Sequence, residues 1–200
     1  PVALHMARLL HGAGHRVHLG DSLRHPLAAA SRLHQGYHRL PPFRFDLAAA
    51  AAALAERLTA LRVDLVVPTC EEVLYLGQIW RDREMPARLF APDFDLLDEV
   101  HNKHRFILLC GKLGLPVPRT QFLTTPDEVQ SLMPGATDLV LKPVWSRFAT
   151  QIAIRPGPQR LARIRPSPAF PWVAQEFIAG EELAVYAIAH AGRVTAISCY

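Results

Sequence analysis

The sequence predicts an α/β protein in two parts, a parallel α/β domain of Rossmann-like type over residues 1–91 and an α+β lobe over residues 92–200. Two observations support this. Helical and strand patterns alternate up to Pro92, which is typical of a parallel sheet with crossover helices. Beyond Pro92 there are helical patterns first and then mainly strand patterns. Half of the residues are apolar and a fifth are charged, as in a globular protein.

The first domain opens directly into helical periodicity, with an apolar face over residues 2–10 that Gly12 ends. A short strand is predicted over Arg16–Leu19, and residues 23–44, which contain three prolines, are predicted to be a long irregular connection. Because the first strand of such a sheet is usually central, we expect a further strand before Pro1.

The rest of the first domain gives clearer signals. Asp46 is a typical N-cap for a helix predicted over Leu47–Leu61. The continuous apolar run Val63–Val67 predicts a buried parallel strand. A helix over Glu71–Trp80, acidic in its first turn, and a short strand over Arg88–Ala91 follow.

The second part is predicted to be helical over residues 93–114, in two pieces stopped by Pro116, with a further short helix starting at Pro126. Its remaining patterns are those of strands. These are Gln121–Leu123, Leu139–Lys142, Thr150–Ile154, Val173–Phe177, Leu183–His190 and Arg193–Tyr200.

Composition disfavours several classes of function. The net charge is +4, but basic residues are scattered, so no patch for nucleic acid is apparent. Nucleic acid is therefore not expected as a partner. No apolar run reaches the roughly 18 residues of a membrane-spanning helix, so a membrane is not expected as a partner either. The three widely separated cysteines suggest neither a disulfide framework nor a zinc site, and they fit a reducing cytoplasm.

Lysine is scarce in this chain: of 22 basic residues only Lys103, Lys112 and Lys142 are lysines. Lys142 ends an apolar strand, where a charge must either reach water or meet an anion. Lys103 opens a predicted helix and could by itself be an ordinary exposed lysine. A third feature is the stretch Gln175–Glu182, where a strand ends in a glycine-containing turn followed by paired carboxylates.

Three phrases carry a family resemblance: Pro-Thr-x-Glu-Glu-Val from Pro68, His-x-Lys-x-Arg-Phe from His101, and Leu-Lys-Pro-Val-x-Ser-Arg-Phe from Leu141. In this order and spacing they resemble the ATP-grasp superfamily, and within it a carbamoyl-phosphate-synthetase-like branch. The resemblance implies that residues 1–91 form a preATP-grasp domain and that residues 92–200 form the N-terminal and central part of the ATP-grasp domain.

The resemblance also implies a nucleotide site. Lys103 and Lys142 would bind the ATP phosphates, since lysine acts as a point-charge phosphate ligand. The segment of Gln175, Glu176, Phe177 and Ile178 would read adenine through backbone groups, with Phe177 or Ile178 helping to enclose the ring. Glu182 would accept hydrogen bonds from the ribose hydroxyls.

Two departures from the family pattern stand out. Where better-known members have a glycine-rich loop over the phosphates, this chain has Trp145–Thr150 without glycine, so Ser146 and Arg147 could cover the phosphates by side chain, or the loop could point elsewhere. The family's magnesium ligands belong to a later segment, so we expect them beyond residue 200 and no metal site within this chain.

Other sites are disfavoured by local sequence. Seven of the ten histidines precede residue 39, but Gly12 and Gly14 interrupt the helix between His11 and His15, which argues against a zinc site there. Gly12-x-Gly14 follows a helix rather than a strand, which disfavours an NAD-binding oxidoreductase fragment. Cys70 is expected to be a buried thiol rather than a nucleophile.

The sequence therefore predicts an ADP-forming, ATP-dependent ligase, with ATP and magnesium as cofactors and small-molecule carboxylate and amine substrates. The resemblance leaves a homodimer open and assigns no catalytic residue. The alternative from another class is a non-catalytic nucleotide-binding module.

Overall fold

A computed structural model describes residues 2–146 and 151–199, and the chain divides into two compact units, residues 1–101 and 102–200. The predicted domain boundary lies earlier, between residues 91 and 92. The assignment of functional domains to these parts stays a prediction.

The first unit begins with helix α1 (Val2–Gly12) and strand β1 (His18–Asp21), which pairs in parallel with strand β2 (Gly36–Arg39). The prediction of an irregular connection over residues 23–44 is therefore wrong, because it contains β2 and a 3-10 helix at Leu27–Ala30. Strand β2 has no β-branched residue and is formed by pairing. Its Tyr37 hydroxyl donates to the Leu23 carbonyl oxygen and lies 3.1 Å from the carbonyl oxygen of Asp21.

Helix α2 (Leu47–Leu61) has the predicted bounds. The Asp46 carboxylate accepts a hydrogen bond from the Ala49 N–H at 2.9 Å, which confirms the predicted N-cap. The helix ends at Arg62, which adopts a left-handed conformation with φ of 52°. Its inward face is made of small and apolar residues, and the buried ones are Ala50, Ala51, Leu54 and Leu58.

Strands β3 (Leu65–Val66) and β4 (Arg88–Leu89) pair in parallel and flank helix α3 (Glu72–Asp82). The parallel pairing is as predicted, but both strands are shorter than predicted. Among the described residues, β3–β4 and β1–β2 are separate two-stranded sheets rather than one.

Helix α4 (Phe94–His101) packs on α3 and therefore lies in the first unit. Gly77 of α3 is at the contact, where an added Cβ atom would come within 3.0 Å of Leu97 Cδ1. The Arg81 guanidinium lies 4.4 Å from the centre of the Phe94 ring. These contacts explain why the boundary between the units follows His101 rather than Ala91.

The second unit is built around a four-stranded antiparallel sheet with strand order β5-β8-β6-β7. Helix α5 (Lys103–Lys112) precedes the sheet, and the two predicted helical pieces are confirmed as α4 and α5. The strands and connecting helices are β5 (Thr120–Leu123), α6 (Pro126–Ser131), a 3-10 helix (Met133–Asp138), β6 (Leu139–Pro143), β7 (Ala153–Ile154), α7 (Pro158–Leu161) and β8 (Trp172–Glu176).

One face of this sheet forms the core of the second unit. Leu123, Leu141 and Ala174 are fully or nearly fully buried there, against Val129 of α6 and Leu161 of α7. The predicted helix at Pro126 is confirmed and carries a capping box between Thr125 and Glu128. Helix α7 was not predicted.

Strands β9 (Val185–His190) and β10 (Arg193–Cys199) form an antiparallel hairpin. Its turn residues Ala191 and Gly192 both have positive φ angles, which suits the right-handed twist of a hairpin. Both strands are exposed along their whole length. Among the described helices of both units, none combines the length and apolar character that crossing a membrane requires.

Candidate functional site

Strand β6 places Lys142 on the side of the sheet opposite the core. Leu141 points into the core and is fully buried, so Lys142, the next residue along the strand, faces the other way. Val144, two residues further along the chain, is fully buried. Lys142 itself is partly buried.

The charge of Lys142 has no counter-charge among the described residues. Its ammonium forms no ion pair or hydrogen bond with any described group, and burial lowers its pKa. Removing a charge from water without pairing it is unfavourable. An anion bound beside Lys142 would offset this desolvation.

Strand register brings Lys142 and Gln175 to the same face. Lys142 pairs with Val173 of β8, and Gln175 of β8 pairs with Val140 of β6 and Thr120 of β5. We call this side of the sheet the lysine face. Its residues are Thr120, Phe122, Val140, Lys142, Ile154, Val173 and Gln175.

Helix α5 begins beside the end of β6. The side chain of Asn102 is buried and caps the helix, accepting hydrogen bonds from the N–H groups of His104 and Arg105 at 3.1 and 3.0 Å. The His104 ring stacks on Phe122 of the lysine face, with 4.5 Å between ring centres. The helix is therefore anchored both at its cap and against the sheet.

Lys103 is tied to the segment that follows β6. Its backbone N–H donates to the Val144 carbonyl at 3.3 Å, and its ammonium donates to the carbonyl oxygens of Ser146 at 2.9 Å and Val144 at 3.4 Å. In this structure Lys103 thus holds the start of the segment that was predicted to cover the phosphates. Its predicted role as a direct phosphate ligand stays a prediction.

The predicted phosphate-covering loop is described only at its start. The Ser146 hydroxyl donates to the Pro143 carbonyl at 3.2 Å, which turns the chain at the end of β6. Arg147, the other predicted covering residue, lies outside the described residues, as does Thr150 at the predicted start of β7.

The segment predicted to read a base begins inside the sheet and leaves it. Gln175 is buried, with 5% of its surface exposed, whereas Ile178 is 66% exposed. The Glu176 N–H donates to the Arg119 carbonyl at 3.0 Å, and the Phe177 N–H donates to the Asp138 carbonyl at 2.8 Å. The backbone is therefore fixed up to Phe177, and the Ile178 N–H has no hydrogen-bond partner among the described residues.

Two arginines flank this segment. The Arg119 guanidinium donates to the Glu176 carboxylate at 2.7 Å, and this hydrogen bond lowers the pKa of Glu176. The Arg155 guanidinium lies 5.3 Å from the centre of the Phe177 ring and donates to the Thr137 carbonyl at 2.7 Å. These contacts turn the Glu176 side chain back towards β5 and cover one side of Phe177.

Glu182 lies in the irregular segment between β8 and β9 and is exposed. The structure thus brings Lys142, Gln175 and the start of the loop held by Lys103 to one sheet, and leaves Glu182 on a neighbouring stretch of chain. Sequence reasoning missed Thr120, Asn102, Arg119 and Arg155. Only Asn102 carried a readable signal, as a capping residue directly before a helix.

Two other regions of the chain contain side chains of types found in functional sites. The expectation that Cys70 is buried is wrong, because it is exposed in the turn before α3, where its N–H donates to the Glu72 carboxylate at 2.9 Å. His18 and His38 lie side by side, with 3.1 Å between His18 Nδ1 and His38 Nε2. Even so, the described part of the chain contains no group of three or more histidine, cysteine or acidic residues arranged to hold a metal ion.

No protein-family model matches the chain, and no curated protein matches its sequence. Solved structures do match it. An L-amino acid ligase from Bacillus licheniformis has a TM-score of 0.78 at 16% identity, over 98% of this chain and 49% of that one. An N5-carboxyaminoimidazole ribonucleotide synthetase in complex with ADP has a TM-score of 0.71 at 16% identity, over 100% of this chain and 50% of that one.

A third match is the biotin carboxylase domain of 2-oxoglutarate carboxylase from Hydrogenobacter thermophilus, solved with MgADP, ADP and bicarbonate. Its TM-score is 0.66 at 11% identity, over 88% of this chain and 42% of that one. Such low identities establish the fold alone. All three are ATP-grasp proteins, so the chain has the ATP-grasp fold and spans about half the length of the structures that it matches.

Proposed function

We propose that the chain forms the ATP-binding part of an ADP-forming ATP-grasp ligase, which phosphorylates a carboxylate so that an amine can attack it. One observation carries this proposal: a partly buried lysine without a counter-charge among the described residues, on an otherwise uncharged sheet face of a protein with the ATP-grasp fold. ATP brings about four negative charges, and lysine binds phosphate as a point charge.

The solved structures favour an enzyme over a non-catalytic nucleotide-binding module, because those named above are a ligase, a synthetase and a carboxylase domain. We further propose the carbamoyl-phosphate-synthetase-like branch, on the three phrases that begin at Pro68, His101 and Leu141. The substrates would be a small carboxylic acid and an amine. The cysteines of the described residues are free, which fits a cytoplasmic protein.

Within the site, we assign the phosphates to Lys142. The Lys103 ammonium would act on the same end of the ligand, because it holds the carbonyl groups of Val144 and Ser146. In this arrangement Ser146 and Arg147 would lie over the phosphates. The lysines supply positive charge that stabilises the phosphoryl oxygens during transfer.

We assign the base to Gln175–Ile178. The Ile178 N–H is a donor with no partner among the described residues, and it directly follows the backbone that Asp138 fixes at Phe177. The Phe177 ring, covered on one side by Arg155, could enclose the base. Glu182, further along the same exposed stretch, would accept hydrogen bonds from the ribose.

Magnesium would bridge the phosphates and neutralise part of their charge. The described residues do not fit this ion, since they include no suitable cluster of ligands. We assign no described residue to magnesium and propose, on the family resemblance, that its ligands belong to a later segment beyond residue 200.

Calorimetric titration of the chain with ATP tests this function. We expect saturable ATP binding, but no magnesium-dependent ADP release from this chain with carboxylate and amine mixtures. The absence of saturable binding up to millimolar ATP would contradict the nucleotide site. ADP release above a blank without enzyme would instead contradict the assignment of the metal ligands to residues outside this chain.

A further inference from the structure

Gln175 is one of two buried polar side chains in the described part of the chain, the other being the helix cap Asn102. It lies on the lysine face opposite Thr120 of β5. An amide side chain presents an acceptor at its oxygen and donors at its nitrogen, so its orientation decides what it can bind. That orientation follows from the hydrogen-bond network around it.

Thr120 fixes the amide through a relay of hydrogen bonds. Its hydroxyl donates to the Pro118 carbonyl at 2.8 Å, and a carbonyl can only accept, so the single hydroxyl proton is used there. Towards Gln175 the Thr120 oxygen can therefore only accept. The Gln175 Nε2 atom donates to it at 2.9 Å, which turns Oε1 away from Thr120.

Gln175 Oε1 has no hydrogen bond to the described residues. Among the described side chains, His34 Nδ1 is the one fully buried polar atom without a hydrogen-bond partner. Gln175 Oε1 also lacks a partner there but is not fully buried, so solvent can reach it. The lysine face therefore presents an open acceptor. Its diagonal neighbour across β8 and β6 is Lys142, at a Cα separation of about 7–8 Å for such pairs.

We propose, on the basis of the proposed function, that Thr120 is a positioning residue that sets the base preference of the site. By holding Gln175 with Oε1 outward, it favours a base that presents an amino group, as adenine does. Guanine presents a carbonyl oxygen at the same position, so two acceptors would face each other without a proton between them. Such a mismatch is unfavourable in a buried site.

The first test compares ATP and GTP affinity in the full chain for three threonine variants. Thr120→Val keeps the side-chain shape but removes both hydrogen-bond functions, and we expect the preference for ATP over GTP to fall about tenfold. Thr120→Ser should restore the preference. Thr195→Val is the matched control, because the Thr195 hydroxyl also donates to a carbonyl, that of Ile188 at 3.1 Å, but lies on the exposed hairpin.

A second readout does not depend on nucleotide. The side-chain amide protons of Gln175 should exchange slowly in the parent and in Thr120→Ser, and fast in Thr120→Val, as NMR can measure. Unchanged exchange and an unchanged ATP preference in Thr120→Val would overturn the positioning role while leaving the proposed function in place. Protected Gln175 amide protons in a chain that binds no ATP would overturn the proposed function, and the base preference with it.

Discussion

The β1–β2 pair of the first unit and the four-stranded sheet of the second differ in how their polar side chains are hydrogen-bonded. In the first unit, His18 and His38 are hydrogen-bonded to each other across the two strands. In the second, Lys142 has no partner among the described residues. The Gln175 amide is hydrogen-bonded to them only through its nitrogen, which donates to Thr120. A polar group paired inside the protein supports the fold, whereas one left open on an ordered sheet is available to a ligand. The difference locates the proposed site in the second unit.

The largest expected effect concerns the core face of the second sheet. Leu141→Ala should lower the free energy of unfolding by about 2–5 kcal/mol, because Leu141 is fully buried and its removal leaves a cavity. Urea denaturation followed by circular dichroism measures this. Ile154→Ala, on the lysine face and 60% exposed, is the control and should have a much smaller effect. Equal losses would mean that the two faces are not distinct.

The next largest effects are expected from removing the helix-capping side chain of one helix in each unit. Asp46→Ala in the first unit should cost about 1 kcal/mol, the usual value for an exposed cap. Asn102→Ala should cost more, about 1–3 kcal/mol, because its amide is buried and leaves two N–H groups unsatisfied. It should also weaken ATP binding, since α5 positions Lys103. An Asn102→Ala variant with unchanged ATP affinity would show that α5 does not contribute to ATP binding.

The histidine pair predicts a pH dependence confined to the first unit. Burial lowers the pKa of His38, and the neighbouring His18, Arg57 and His34 lower it further. The folded state therefore binds a proton at His38 less readily than the unfolded chain does. The stability that neutral His38 contributes is fully present above the ordinary pKa of 6.5 and is lost as the pH falls through the lower pKa of the folded state.

Thermal unfolding between pH 7.5 and 5 measures this contribution, with His38→Gln as the comparison. The melting temperature of the parent should fall more steeply with decreasing pH than that of the variant. Parallel curves for the two proteins would show that His38 does not titrate differently on folding.

The smallest effect is a change in stability at Lys142. Since burial lowers the pKa of Lys142, protonation opposes folding, and stability should rise as the pH rises through the folded pKa towards the ordinary value of 10.5. Lys142→Met should therefore stabilise the protein slightly at pH 7, with a smaller gain near pH 10. A destabilised Lys142→Met at pH 7 would indicate a counter-charge that the described residues do not show.

How far the sequence predicts this molecule depends on whether the signal is local. Helix α2 is predicted to the residue because Asp46 and an alanine-rich stretch act within one element. Strand β2 is missed because Gly36–Arg39 lacks β-branched residues and exists through its pairing with β1. Cys70 is misjudged because burial depends on the fold around it.

The same rule applies to the site. Lys142 is recognisable because lysine is scarce and because the residue follows an apolar run. Thr120 and Gln175 are 55 residues apart in the chain and become partners only through the register of β5 and β8. No local pattern in a single sequence encodes that register, so the relay could not be predicted.

The central claim is that Lys142 is an anion ligand on an otherwise uncharged sheet face. The most direct test is the dissociation constant for ATP, measured by calorimetry for the parent, Lys142→Ala and Lys112→Ala. Lys112 lies at the exposed end of α5 and serves as the lysine control. Lys142→Ala should weaken ATP binding at least tenfold, on the scale of about 1.5–3 kcal/mol for a charged hydrogen bond, while Lys112→Ala should not change it. Superimposable titration curves for the parent and Lys142→Ala would contradict the claim.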